Sequence, residues 1–210
     1  MNDDAEKIEQ LQNILGSQDE TKSFAAISLA LSLTDEEDSS LSLLATVRWL
    51  VEREHWRQAY GAAQLMPECY EKSEALQAVA AYLASIGHLE KAISVFDEAE
   101  KSSLAESLSD WQQAELLHHI AQSLRRMKAV FKADDVWEKA AIIAQKGTAS
   151  PDLQDSLDAA SVLAEIAINF AEDGRIEKAL SLAQQIKNVY KKENTLRQIS
   201  EYSQQIKKVA

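Results

Sequence analysis

An all-α fold assembled from repeated helix pairs is predicted by three observations. Glycine and proline are scarce, at 5 and 2 of 210 residues, where ordinary usage would supply about 15 and about 10. Turn-rich β folds need both residue types. Apolar residues recur at three- and four-residue steps along most of the chain, the mark of helices with one buried face. The third observation is a sequence frame that returns several times.

That frame is clearest around two glycines. Gly87 is followed five residues later by Ala92, and Gly174 by Ala179. Eleven, eight, seven and four residues before Gly87 stand Leu76, Val79, Ala80 and Leu83; before Gly174 stand Leu163, Ile166, Ala167 and Phe170. Two copies keep the frame without the glycine. Glu54 takes its place behind Leu43, Thr46, Val47 and Leu50 and ahead of Ala59 and Ala63. Lys128 does so behind Leu117, Ile120, Ala121 and Leu124 and ahead of Ala133 and Trp137. Ala26 and Ala30 match Ala179 and Ala183, and Leu196 and Ile199 open one further copy. The anchors fall at 21, 54, 87, 128, 174 and 207, so the steps are 33, 33, 41, 46 and 33 residues.

The elements follow in order. A first helix over 3–15 presents Ile8, Leu11, Ile14 and Leu15 on one face, fit to cover the apolar edge of the next pair. Ser17-Gln18-Asp19-Glu20 and Thr34-Asp35-Glu36-Glu37 read as capping boxes opening helices over 19–33 and 38–53. Helices over 56–67 and 70–86 flank Pro67, which lies between them. The helix over 88–107 is expected to run long, because Leu104, Leu108 and Trp111 keep helical spacing. Helices over 110–127 and 129–146 precede a loop at 147–151, Gly-Thr-Ala-Ser-Pro, in which Ser150 reads as an N-cap and Pro151 as the first helical residue. Helices over 152–173, 175–191 and 193–207 complete the chain. Gly87 and Gly174 sit at helix ends, where glycine accepts a left-handed conformation. Small residues at Ala80, Ala121 and Ala167, facing Ala92, Ala133 and Ala179, let paired helices approach closely.

The frame resembles the tetratricopeptide repeat. The copy ending in Ala99 fits best, with Leu76, Val79, Ala80, Leu83, Gly87, Leu89, Ala92, Phe96 and Ala99 on signature places. Leucine replaces the family's usual tryptophan at the first place, and the closing proline is missing, so the chain is read as a divergent relative. The resemblance covers roughly 17–205 and implies a right-handed α-solenoid of about five antiparallel helix pairs (3–33, 38–67, 70–107, 110–146, 152–191) with a terminal helix at 193–207, all one domain over 1–210. No linker long enough to separate two domains is present.

Charge bounds the partners. The formal net charge is −12, which disfavours nucleic acid, since that binding needs phosphates neutralised by Lys and Arg. Residues 1–40 hold ten acids and two bases, and residues 175–210 hold eight bases and three acids. Two readings stand: solvated helix faces, or head-to-tail association of unlike ends. Cys69 is the only cysteine, which fits a reducing compartment. The start, Met1-Asn2-Asp3-Asp4-Ala5-Glu6, lacks a signal pattern, and no apolar run reaches membrane-spanning length. A cytoplasmic protein is the expectation.

Chemistry is sparse. His118 and His119 are neighbours and point about 100° apart on a helix, so they share one metal poorly; His55 and His88 fall in other repeats. They are read as surface or groove histidines. Cys69 has no resolving partner and is read as a packed, inert thiol. Asp35-Glu36-Glu37-Asp38 lacks the alternating ligands and central glycine of a calcium loop. No phosphate-cradling glycine loop or glycine-flanked serine occurs. No enzyme, metal or cofactor is expected. Trp56 and Trp137 fall on core places of the frame, whereas Trp49 and Trp111 are either packing or exposed anchors for a partner.

The resemblance also implies a groove lined by the first helix of each pair. Carried over by register, its places are Leu44, Arg48 and Glu52; Gln77, Ala81 and Ser85; His118, Gln122 and Arg126, with Arg125 beside them; Ala164, Ile168 and Glu172; and Arg197, Glu201 and Gln205. Arg48, Arg125, Arg126 and Arg197 suit a peptide or protein segment with some acidic character, since Arg forks grip carboxylates. The alternative is that they offset neighbouring acids such as Glu115. The Lys and Asn set with which some relatives hold a chaperone's C-terminal carboxylate is absent, Leu44 and Arg48 standing there. The leading expectation is a scaffold or adaptor without catalysis. A dedicated client chaperone, as in secretion, and a self-assembling protein are the alternatives.

Overall fold

Helix follows helix along the chain, and no strand occurs among the described residues. The structure is a computed structural model that describes residues 3–17 and 19–209, the side chains of Glu20 and of 207–209 lying outside it. The elements are α1 (Asp3–Leu15), a single 3-10 turn (Glu20–Lys22), α2 (Ser23–Leu31), α3 (Glu36–Glu52), α4 (Trp56–Gln64), α5 (Tyr70–Ser85) and α6 (Leu89–Ser103). They continue with α7 (Asp110–Arg126), α8 (Val130–Gly147), α9 (Leu153–Glu172), α10 (Ile176–Gln185) and α11 (Val189–Val209).

The backbone carries the repeat frame at its anchors. Glu54, Gly87, Lys128 and Gly174 all have left-handed φ, at 66°, 82°, 64° and 78°. Each closes its helix with the same pair of bonds. The anchor N–H reaches back three residues, and the next N–H reaches back five: His55 to Leu50 O at 2.9 Å, His88 to Leu83 O at 2.9 Å, Ala129 to Leu124 O at 3.0 Å and Arg175 to Phe170 O at 2.8 Å. These bonds satisfy carbonyls that a helix end otherwise leaves open. A Cβ in this conformation costs about 1–2 kcal/mol, and no heavy atom outside the immediate turn lies within 4 Å of a Cβ built at Gly87. Lys128→Gly and Glu54→Gly are therefore expected to stabilise the protein by about 1 kcal/mol each, and Gly87→Ala to destabilise it by a similar amount. Urea midpoints at unchanged slope would read all three. Destabilisation by both glycine substitutions would contradict the shared turn.

Between anchors the frame residues form the core. Leu43, Leu76, Leu117 and Leu163, together with Leu50, Leu83, Leu124 and Phe170, are at most 1% exposed. The chain divides into two compact units, Met1–Ser107 and Leu108–Ala210. In the first unit α3 packs on α4 and α5, and α5 on α6. In the second, α7 packs on α8 and α9, and α9 on α10 and α11. Each unit thus has a solenoid-like order, in which first helices lie side by side and second helices bridge successive first helices. The first unit carries the whole net charge, with 20 acids against 8 bases; the second holds 14 of each.

Several boundaries differ from the sequence reading for local reasons. The opening of α2 has no side-chain cap, the preceding Lys22 making none, and Gln18 of the expected capping box lies outside the described residues. The cap of α3 is Asp35, whose carboxylate accepts from the Asp38 N–H at 3.0 Å. Thr34 instead turns to the buried Asp4 carboxylate, to which both its N–H and its hydroxyl donate. With Lys7 donating to Ser32 O at 3.0 Å, this ties α1 down over α2. α6 stops at Ser103, four residues short of the expected 107. The Ser103 hydroxyl donates to Glu100 O at 2.7 Å, a local bond that competes with helical propagation. Beyond it the Ser109 N–H donates to Gln112 Oε1 and starts α7. The cap of α9 is Asp152 rather than Ser150, accepting from the N–H groups of Gln154 and Asp155. α10 ends at Gln185, not 191, because Ile186 is extended and Asn188 Oδ1 accepts from the Lys191 N–H at 2.8 Å. That cap starts α11 four residues earlier than expected.

Candidate partner-binding face

A helix turns about 100° per residue, so steps of four rotate a row by about 40° each. The groove places read from the sequence are such rows, ten, six and two residues before each anchor. They cross from the helix–helix seam into solvent. Ten before, Leu44, His118 and Ala164 are buried at 5%, 1% and 4%, and Gln77 is half-buried. Six before, Gln122 and Ile168 are half-buried, while Arg48, Ala81 and Glu201 are exposed. Two before, Glu52, Ser85, Arg126, Glu172 and Gln205 are exposed. Arg197, on α11, is exposed although the same row is buried or half-buried on the other first helices.

His118 is therefore a correction. It is no groove side chain but the centre of a polar cluster inside the second unit. Its Nδ1 accepts from the Trp137 indole N–H at 3.2 Å, and Nε2 lies 2.9 Å from Gln122 Nε2 and 3.5 Å from Glu165 Oε2. Two nitrogens in contact imply that the Gln122 amide is better turned to offer its oxygen. Burial, and then the neighbouring His119, hold the ring's pKa down at about 3. The opposing attraction of Glu165 is weak because that side chain is 61% exposed and screened.

The arginines divide. Arg125 lies against Asp173, with Nη2 2.7 Å and Nε 3.2 Å from Oδ1. Arg48 is 3.3 Å from Glu74 across α3 and α5, and Arg197 donates to Asn194 Oδ1 at 2.8 Å. Arg126 is exposed and makes no ion pair among the described residues. The face that the second unit actually presents runs along the thirteenth, ninth, sixth and second places before each anchor. On α7 these are Glu115, His119, Gln122 and Arg126; on α9, Ser161, Glu165, Ile168 and Glu172; on α11, Asn194, Gln198, Glu201 and Gln205. All are at least part-exposed. Glu165 was missed by the sequence reading, which had His119 as a surface or groove histidine without a place in a row, although spacings of four, three and four mark a single helix face. Glu172 accepts from the Tyr202 hydroxyl at 2.6 Å, joining α9 to α11 at one end of the face.

The tryptophans are packing residues to differing degrees. Trp137 is 2% exposed and meets Phe170 edge-on at 5.5 Å. Trp49 is 5% exposed with the Arg53 guanidinium 4.4 Å above its ring. Trp111 donates to Asp155 at 2.9 Å. Trp56, expected in the core, is half-buried: it opens α4, and the cations of Arg57 and Lys91 cover its ring at 4.5 and 5.3 Å. Cys69 is half-buried at the start of α5, and burial pushes its thiol pKa up. It shares a surface hollow with Glu36, Glu37, Glu68 and Glu71, surroundings that disfavour a reactive thiolate. No described helix is long and apolar enough to cross a membrane.

No protein-family model and no curated protein matches the chain. Among solved structures, it is similar to the crystal structure of Ton1535 from Thermococcus onnurineus NA1, with a TM-score of 0.54 and 14% sequence identity. The match takes in 92% of this chain and 57% of that one, so this chain spans less than two thirds of that protein's length. At this identity the likeness concerns the fold alone.

Proposed function

We propose that the chain is a non-catalytic, tetratricopeptide-like binding module, a scaffold or adaptor, whose α7–α9–α11 face takes a segment of another protein. The observation that carries the reading is the composition of that face. Its charged side chains are Glu115, Glu165, Glu172 and Glu201 against Arg126. Arg125, which would favour an acidic segment, is committed to Asp173. The fitting occupant is therefore a basic segment, in place of the acidic one suggested by the arginines in the sequence. Ile168 and His119, half-buried at the middle of the rows, supply apolar contact, and the carboxylates at the edge supply orientation and on-rate.

Site-specific photo-crosslinking in the native cell tests this. A photoreactive residue at Gln122 or Ile168 is expected to capture a discrete protein, and one at Ser181 on α10 to capture none. The adduct is expected to fall at least tenfold when Glu165→Lys and Glu201→Lys are added. Capture equal at all three positions, or unaffected by the charge reversals, would overturn the proposal.

A further inference from the structure

We infer that the chain associates head to tail with a second copy of itself, the start of α11 on one copy seating on α2 of the next. α2 is the one described helix with no charged residue. Its solvent-facing places differ from those of the other second helices in the first unit. Three, seven and ten residues after their anchors, α4 carries Arg57, Gly61 and Gln64, and α6 carries Glu90, Ser94 and Asp97. The same places on α2 hold Phe24, Ser28 and Leu31, with Phe24 73% and Leu31 44% exposed. An apolar pair in this position leaves water-facing area that a surface helix normally avoids.

Acids flank α2 along the chain: Asp19 precedes it, and Asp35, Glu36, Glu37 and Asp38 follow it. The only two bases among residues 1–40 are already matched, Lys7 with Asp3 at 2.6 Å and Lys22 with Asp19 at 3.6 Å. α11 offers the complement. Val189 and Tyr190 are 67% and 82% exposed, beside Lys187, Lys191 and Lys192, none of which pairs with an acid among the described residues. Residues 187–210 hold six bases and two acids. The two surfaces thus match in apolar character and oppose in charge. Because they are different surfaces, the contact is heterologous and can propagate from copy to copy.

Sedimentation velocity over a concentration series tests the inference. Wild type is expected to form assemblies that grow with concentration and dissociate as salt rises. Phe24→Glu and Tyr190→Glu each lie at exposed positions, and circular dichroism checks their folding. Each is expected to weaken association at least tenfold. Mixed together, the two variants are expected to form a one-to-one dimer that goes no further, since each retains one intact surface. Phe131→Ser, at a 92% exposed side chain on α8, is expected to leave assembly unchanged. A wild type that stays monomeric throughout, assemblies unaffected by either glutamate, or a mixture that stays monomeric would each overturn it. The crosslinking above reads a different face, so either proposal can fail alone.

Discussion

Between pH 6.5 and pH 4.5 the wild-type protein is expected to lose about 2–3 kcal/mol of stability through one side chain, His118. Its folded pKa is held down at about 3 by burial, whereas in the unfolded chain it returns to near 6.5. The unfolded state therefore binds the proton first. Stability is flat above about pH 6.5 and falls as pH drops towards 3. The geometry explains the resistance. Trp137 donates to Nδ1, so the neutral ring carries its proton on Nε2, facing Gln122 and Glu165. A second proton would set a donor against the indole N–H in a site that is 1% exposed. The carboxylates of Asp4, Asp19 and Glu68 are lowered by their hydrogen bonds to Thr34, Thr21 and Lys72 respectively. Their contributions are present above their unfolded values near 4 and fade as pH falls below them, outside this window. Urea midpoints at pH 6.5, 5.5 and 4.5 would show the slope, and His118→Gln, whose amide oxygen can still accept from Trp137, is expected to flatten it. A variant slope equal to wild type would refute this account of the cluster.

Gly147→Ala is expected to destabilise the protein by about 2–3 kcal/mol, although helix propensity alone predicts a gain of about 1 kcal/mol. Gly147 ends α8 and needs no left-handed backbone. A Cβ built there would stand 2.8 Å from the Ala159 Cβ on α9 and 3.2 Å from the Asp110 Cβ on α7. Both neighbours are the rigid roots of side chains, so relief requires helices to shift. Ala159→Gly removes the nearer obstacle, and the double variant is expected to recover at least half of the loss. Its coupling in a double-mutant cycle should exceed 1 kcal/mol. A more stable Gly147→Ala, or purely additive effects, would mean that the three helices are not in close contact there.

The repeat frame was legible because it is written in residues whose local physics points one way. Leu, Ile and Ala at a helical period demand a partner surface wherever they fall, and Gly87 and Gly174 state a left-handed turn in their own chemistry. Even Glu54 and Lys128, which lack that chemistry, were placed by register and adopt the turn. Caps were less legible. Thr34, Asp35, Ser150 and Asp152 are all competent caps, and the choice depends on what else each hydroxyl or carboxylate can reach; Thr34 was diverted by Asp4, thirty residues away.

The candidate face was half legible. Its helices and rough register followed from the frame, but the depth of each row did not, because a seam between first helices is made by the neighbour and not by the helix itself. His118 illustrates the limit: by sequence a groove residue, by packing a neutral core ring held by Trp137. Arg125 is another, since its partner Asp173 lies 48 residues on. The sequence by itself determined that the chain is helical, where its paired helices turn, and that its two ends differ in charge. Only the tertiary structure decided which charges remain uncommitted, which histidine is buried and which apolar side chains face water. Those depend on distances between residues far apart in the chain, and helical periodicity carries no information about them.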